Sequence, residues 1–237
     1  MARLDRYVSE SGLSRAQARE AIAQGRVSVA GLVARDAGQQ VPDGAPVCLD
    51  GAPVRQAGPT HLALYKPSGV VTAQSDGRFS TVFDLLPPKY RARDLSAVGR
   101  LDRDTTGLLL FTTDGQLAHR LISPKWAIEK VYLATVETPL TEAIVRRMAE
   151  GVPLKDFTAL PAKLRIINPL LGEITVTEGK YHQVKRMFGA LGCPVTALHR
   201  KSVGGLLLDD AMNPGDVRPL TQGESARLYA LTHLKED

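Results

Sequence analysis

Cysteine is nearly absent. The 237 residues include two, Cys48 and Cys193, too few for a disulfide framework and without the paired spacing of metal ligands, so reduced thiols are expected. No stretch approaches the roughly 18 uncharged apolar residues of a membrane span. Residues 1–12 carry Arg3, Asp5, Arg6 and Glu10 where a signal peptide would place its apolar core. A cytoplasmic protein away from membranes is expected. Also missing are a Gly-x-Ser-x-Gly elbow and a Gly-rich phosphate loop, since Gly204-Gly205 lacks the rest of either nucleotide-binding pattern. The five histidines show no metal-ligand spacing, and neither metal nor cofactor is expected.

What is present is a globular composition, 43% hydrophobic and 23% charged, long enough for one large domain or a domain with a small appendage. Thirty Lys and Arg against 25 Asp and Glu give +5. That is modest, so its distribution matters more than its total. Residues 1–35 hold six Arg and three acids, and residues 179–208 hold Lys180, Lys185, Arg186, Arg200 and Lys201 with no acid. Local basic clusters are the footprint of a polyanion binder, although an ordinary solvated surface gives the same counts.

The first residues read as a helix pair and a strand. Leu4 and Val8 share a face, Gly12 stops the first helix, and Ser14-Arg15-Ala16-Gln17 is a capping box opening a second with Ala18, Ala21 and Ile22 inward. Arg15 and Arg19, four apart, project from one side, with Arg26 just beyond Gly25 and before the alternating Val27 and Val29. One small surface carrying three guanidiniums is the expectation. This order of residues resembles the S4 RNA-binding domain over about the first 50 positions.

Residues 41–60 contain Pro42, Pro46, Pro53, Pro59, Gly44, Gly51 and Gly58, which favour turns and a linker, so a boundary is expected near Gly58. Beyond it, strands are expected at 61–65, 96–99, 108–112, 131–135, 164–167 and 174–177. Helices are expected at 141–150 and 181–191, and a last one after the capping box Thr221-Gln222-Gly223-Glu224. Strands and helices interleave without a βαβ rhythm, which makes α+β the class.

The most unusual segment is 98–111, where apolar strands flank a polar loop holding Arg100, Asp102, Arg103, Asp104, Thr105, Thr106 and Gly107. A site mounted on a rigid scaffold has this form, and so does a charged hairpin turn. Asp102 and Asp104 are poorly placed as a glycosidase pair, because residues two apart on one short loop cannot face each other across a sugar. A cofactor-free reaction built around one carboxylate remains.

Gly99-Arg100-Leu101-Asp102-x-x-Thr105-x-Gly107-Leu108-Leu109 resembles the catalytic motif of the S4-bearing ribosomal pseudouridine synthases. Glu129-Lys130-Val131-Tyr132 is similar to that family's Lys-x-Tyr strand. The segment Glu178-Gly179-Lys180-Tyr181-His182-Gln183-Val184-Lys185-Arg186-Met187 is similar to its C-terminal motif, and Lys66-Pro67-Ser68-Gly69 falls upstream in the family's order. The resemblance spans essentially the whole chain. It implies an S4-like RNA-binding domain with linker over 1–58 and a catalytic domain over 59–237, built on a mixed, mainly antiparallel sheet with flanking helices.

The resemblance also implies an activity, the isomerisation of a uridine to pseudouridine without cofactor. Asp102 would be the catalytic carboxylate, Tyr132 would pack on the uracil, and Lys185 would pair with Asp102, at a position where the family more often has Arg. Arg100 would fill the space left by an everted uridine, with a plain phosphate contact as the rival role. Lys180 and Arg186, with Arg15, Arg19 and Arg26, would meet the RNA backbone, and His182 would join them or cap the helix. The Tyr181-His182 pair and the chain length turn the resemblance toward members acting on small-subunit 16S rRNA, free or in an assembling particle, at uridine 516. The alternatives are a large-subunit 23S rRNA enzyme and a non-catalytic rRNA-binding or assembly protein. A monomer is expected.

Overall fold

A computed structural model describes residues 2–9, 11–42, 44–54, 58–91 and 94–235. The chain forms two compact units, Met1–Thr60 with Leu86–Leu95, and His61–Leu85 with Ser96–Glu236. The segment 86–95 is an excursion that a simple division at residue 58 does not contain. It includes α3 (Pro88–Arg91), and its Asp94 accepts a 3.1 Å hydrogen bond from Arg15.

The first unit starts with β1 (Ala2–Arg3), α1 (Leu4–Ser9) and α2 (Arg15–Ala23). Gly12, at φ +99°, turns the chain between the helices. Ser14 accepts from the Gln17 N–H while the Gln17 side chain accepts from the Ser14 N–H, so the capping box forms as its sequence predicts. Leu4, Val8, Ala18, Ala21 and Ile22 are buried in one core with Val27. Then come β2 (Val27–Val29), β3 (Leu32–Val33), β4 (Gln40–Val41), β5 (Val47–Leu49) and β6 (Ala52–Pro53). They form an antiparallel sheet of order β3-β2-β5-β6 and a β1-β4 pair.

Residues 41–60, expected as turns and linker, therefore hold sheet strands. Turn residues dominate the composition of this stretch and mask its short strands: Asp50 and Gly51, both at positive φ, make the tight β5–β6 hairpin. Glu10, residue 43 and residues 55–57 lie outside the described residues.

The second unit contains β7 (His61–Lys66), β8 (Ser96–Ala97), β9 (Thr106–Thr112), α4 (Gly115–Ile122), β10 (Lys130–Val136), α5 (Glu142–Glu150), β11 (Val152–Pro153) and β12 (Thr158–Ala159). It continues with β13 (Lys163–Asn168), β14 (Leu171–Val176), α6 (Gln183–Ala190), β15 (Val195–Val203), β16 (Leu206–Leu207), β17 (Val217–Pro219) and α7 (Gln222–Leu231). Its nine-stranded sheet runs β13-β14-β10-β15-β9-β7-β17, with β16 on β15 and β8 on β9. The β15–β9 pair is parallel and the other pairs among the described strands are antiparallel, so the sheet is mixed and mainly antiparallel as expected. Leu108, Leu110, Leu117, Leu121, Ile128 and Leu228 anchor a core between this sheet and helices α4 and α7.

Two differences from the sequence expectation bear on function. Strand β15 lies in the middle of the sheet but gives no apolar pattern, because Thr196, His199 and Lys201 interrupt it. Helix α6 starts at Gln183 instead of residue 181, because His182 takes a left-handed φ of +50°. Among the described residues, no helix is long and apolar enough to cross a membrane.

Candidate active site

The loop at 98–105 joins β8 to β9, which pair through Ala97 and Phe111. Its backbone is clamped on both sides of Asp102. Lys66, at the end of β7 and fully buried, donates from Nζ to the carbonyls of Pro67 (2.9 Å), Arg103 (3.2 Å) and Thr105 (2.9 Å). Burial draws its pKa down to about 8 against the attraction of Asp104 and Asp102, so at pH 7 it keeps the three protons its acceptors require. The Thr72 hydroxyl donates to the Leu101 carbonyl (2.9 Å) and accepts from the Leu101 N–H (3.2 Å). The Asp102 carbonyl accepts from the Thr105 N–H and the Arg103 carbonyl from the Gly69 N–H.

Gly107, the second residue of β9, has φ +108°. A Cβ there would stand 2.2 Å from the Arg200 carbonyl oxygen, so the parallel approach of β15 admits only glycine. Arg200 is itself buried and donates from Nε to the Leu108 carbonyl (2.7 Å).

The Asp102 carboxylate is 24% exposed and meets two groups from the last motif: Lys185 Nζ is 3.4 Å from Oδ2, and His182 Nε2 is 3.4 Å from Oδ1. Lys185 is nonetheless closer to Asp104, donating to its Oδ1 at 2.6 Å. That hydrogen bond holds the Asp104 pKa below the usual carboxylate range. Lys185 was expected to pair with Asp102; it stands beside it but hydrogen-bonds Asp104, so two carboxylates two residues apart share one ammonium. Tyr132 points from the buried face of β10, where Lys130, Tyr132 and Ala134 alternate inward. Arg100, Asp102, Tyr132, Lys180, His182 and Leu198 line one cleft. The buried Thr105 lines it too, its Oγ1 without a partner among the described residues.

The basic residues expected on RNA differ in how committed they are. Arg100 is exposed and has no ion-pair partner among the described residues. Lys180 Nζ sits 3.7 Å from the centroid of the Phe157 ring, and Arg186 pairs with Asp156, so both rest on the β11–β12 hairpin. Lys201 pairs with Glu173, and the segment 179–208 is accordingly a set of paired or buried cations and not a single exposed patch. In the first unit, Arg15 and Arg19 converge with Arg3 on the buried Asp5, while Arg26 pairs with Asp50. Burial raises the Asp5 pKa, but the hydrogen bonds from Arg3 and Arg19 outweigh it and leave the carboxyl below its usual range.

Sequence reasoning missed four participants. Lys66 was visible within a motif, but its clamp was not, because its three acceptors are carbonyls. Asp104 was set aside with the glycosidase reading. Arg200 was counted only within a basic cluster, and its place in the sheet was not seen. Glu178, buried and accepting from the Leu160 N–H and the Gln183 amide, fixes the turn into α6. Among the described residues, no group of three or more His, Cys, Asp or Glu stands together to hold a metal ion.

The cleft that holds Asp102, His182 and Tyr132 lies in the second unit, and the class of that unit follows from comparison with known proteins. The profile of the RNA pseudouridylate synthases matches residues 60–190 and that of the S4 domain matches residues 2–57. The chain belongs to the RNA pseudouridylate synthase family. It is 43% identical over 227 residues to ribosomal small subunit pseudouridine synthase A of Vibrio parahaemolyticus serotype O3:K6 (strain RIMD 2210633), covering 94% of this chain and 97% of that one. It is 44% identical over 229 residues to the protein of the same name from Escherichia coli (strain K12), covering 94% and 98%. A crystal structure of a pseudouridylate synthase superposes with a TM-score of 0.68 at 37% identity, covering 96% of this chain and all of that one.

Proposed function

We propose that this protein isomerises one uridine of small-subunit 16S rRNA to pseudouridine, that the uridine is at position 516, and that Asp102 starts the reaction. The observation that carries the chemistry is the Asp102 carboxylate, held within 3.4 Å of Lys185 and His182 in a cleft shared with Tyr132. The names of the relatives at 43% and 44% identity support the choice of RNA.

In this reaction the N1–C1′ bond breaks, the uracil turns, and a C5–C1′ bond forms. C5 loses a proton and N1 gains one, so the nucleotide's composition is unchanged. Asp102 acts as an anion, by attack at C1′ or C6 or by taking the C2′ proton, and the cation beside it offsets the cost of bringing a carboxylate against the substrate. Tyr132 packs on the uracil and assists loss of the C5 proton. A stacked uridine hides C1′ and C6, so the target leaves its stack, and the uncommitted Arg100 takes the vacated space. Lys180, His182 and Arg186 with Arg15, Arg19 and Arg26 hold the RNA backbone. The protein works as a cytoplasmic monomer, on free rRNA or an assembling small-subunit particle.

The test is incubation with unmodified 16S and 23S rRNA, each as transcript and as particle, followed by mapping of pseudouridine. Product at uridine 516 of 16S rRNA is expected. Product in 23S rRNA would overturn the substrate, and binding of either RNA without product would overturn the reaction.

A further inference from the structure

We propose that the outer face of Tyr181 is a nucleobase-binding subsite, taking a base of the RNA strand that flanks the target uridine. The inference rests on the reaction proposed above and adds a contact to it. Tyr181 is 75% exposed, so its ring serves no core. It is nevertheless held in place: its centroid lies 3.7 Å from that of His182 with the planes 19° apart, a face-to-face stack. His182 is in turn fixed by its left-handed backbone at φ +50° and by its 3.4 Å approach to Asp102. The turn carrying both rings is closed by the Lys180 N–H donating to the Gln183 side chain and the Gln183 N–H donating to the Lys180 carbonyl.

The result is a rigid π surface, exposed on one side and one residue removed from a contact of the catalytic carboxylate. Everting a uridine deprives its neighbours of a stacking partner, and an aromatic face at that place replaces it without reading sequence. A left-handed non-glycine residue costs stability, and such strain gathers at functional sites.

The test uses the full-length protein and a 16S rRNA fragment spanning the mapped uridine, with Kd from filter binding and KM and kcat from pseudouridine formation. Tyr181→Ala raises Kd and KM by about 10-fold or more, the loss expected of one base–aromatic stack. Tyr181→Phe and Tyr181→Trp stay near wild type, and kcat changes little in all three. An abasic nucleotide scanned through the flanking positions costs the wild type a similar factor at one position and costs Tyr181→Ala nothing further there. Melting temperatures confirm that each variant folds. Unchanged binding by Tyr181→Ala would overturn the subsite, as would Tyr181→Phe being equally impaired, which makes the contact one of the hydroxyl. A fall in kcat with constant KM and a displaced pH profile would also overturn it, since Tyr181 would then act through His182 alone. Wild type that forms no product refutes the reaction itself, whereas active wild type with an indifferent Tyr181→Ala refutes only the subsite.

Discussion

Asp102 gains its setting from residues far from it in the chain. Lys66 and Thr72 fix the backbone around it, and Lys185 and His182 face its side chain from a segment about 80 positions later. The carboxylate was legible in the sequence because the polar residues stand out between apolar strands and match a dense motif. The division of Lys185 between Asp102 and Asp104 was not legible, because it depends on how one tight loop aims two side chains. The same holds for Arg15 and Arg19, whose spacing shows that they share a face but not that Asp5 lies beneath them. Gly107 makes a sharp test at this scale. Gly107→Ala places a Cβ against the Arg200 backbone at a positive φ, and a loss of more than about 2 kcal/mol is expected from the denaturant midpoint. A variant as stable as wild type would show that β9 and β15 can part without cost.

The legible elements are the longer strands β7, β9, β10, β13 and β14, read from their apolar residues, and the helices whose ends carry their own chemistry. The capping boxes at Ser14 and Thr221 both form, and Gly151 ends α5 where expected. In the first unit β2 was legible from Val27 and Val29, while β3 to β6 were hidden by their turns and the central β15 by its charges. At α7, Arg218 donates two hydrogen bonds to Glu224, at 2.7 and 2.8 Å, and the Thr221 N–H donates a third. The Arg218 bonds are the main cause of a Glu224 pKa of about 2. A carboxyl whose pKa is depressed on folding contributes stability above its unfolded value, near 4.3, and loses it as pH falls through the folded value. Glu224→Gln is therefore expected to cost about 1–2 kcal/mol in urea unfolding at pH 7. The gap to wild type should narrow steadily below about pH 4. A gap independent of pH would mean that packing, not charge, sets the role of Glu224.

Across the whole chain, the two units divide polyanion affinity and chemistry between them in the proposed reaction, and paired charge complicates that division. Most of the cations that composition suggested for RNA already have partners, so each must exchange a carboxylate for a phosphate on binding. Arg19 and Arg26, both more than 45% exposed in their side chains, are the best placed in the first unit to do so. Substituting both by Gln is expected to shallow the dependence of log K on log salt by about 1.5, the share of two phosphate contacts. An unchanged slope would remove the first unit from the electrostatic contact. Replacing charges is a cleaner test than deleting residues 1–58, because Leu86–Leu95 packs with that unit.

The most direct measurement of the central claim is site-resolved pseudouridine mapping on 16S rRNA treated with Asp102→Asn, alongside its binding affinity. No pseudouridine above background is expected, with affinity within a few fold of wild type, because the amide keeps the loop's shape and removes only the anion. Product at the wild-type level from Asp102→Asn would show that another group starts the isomerisation.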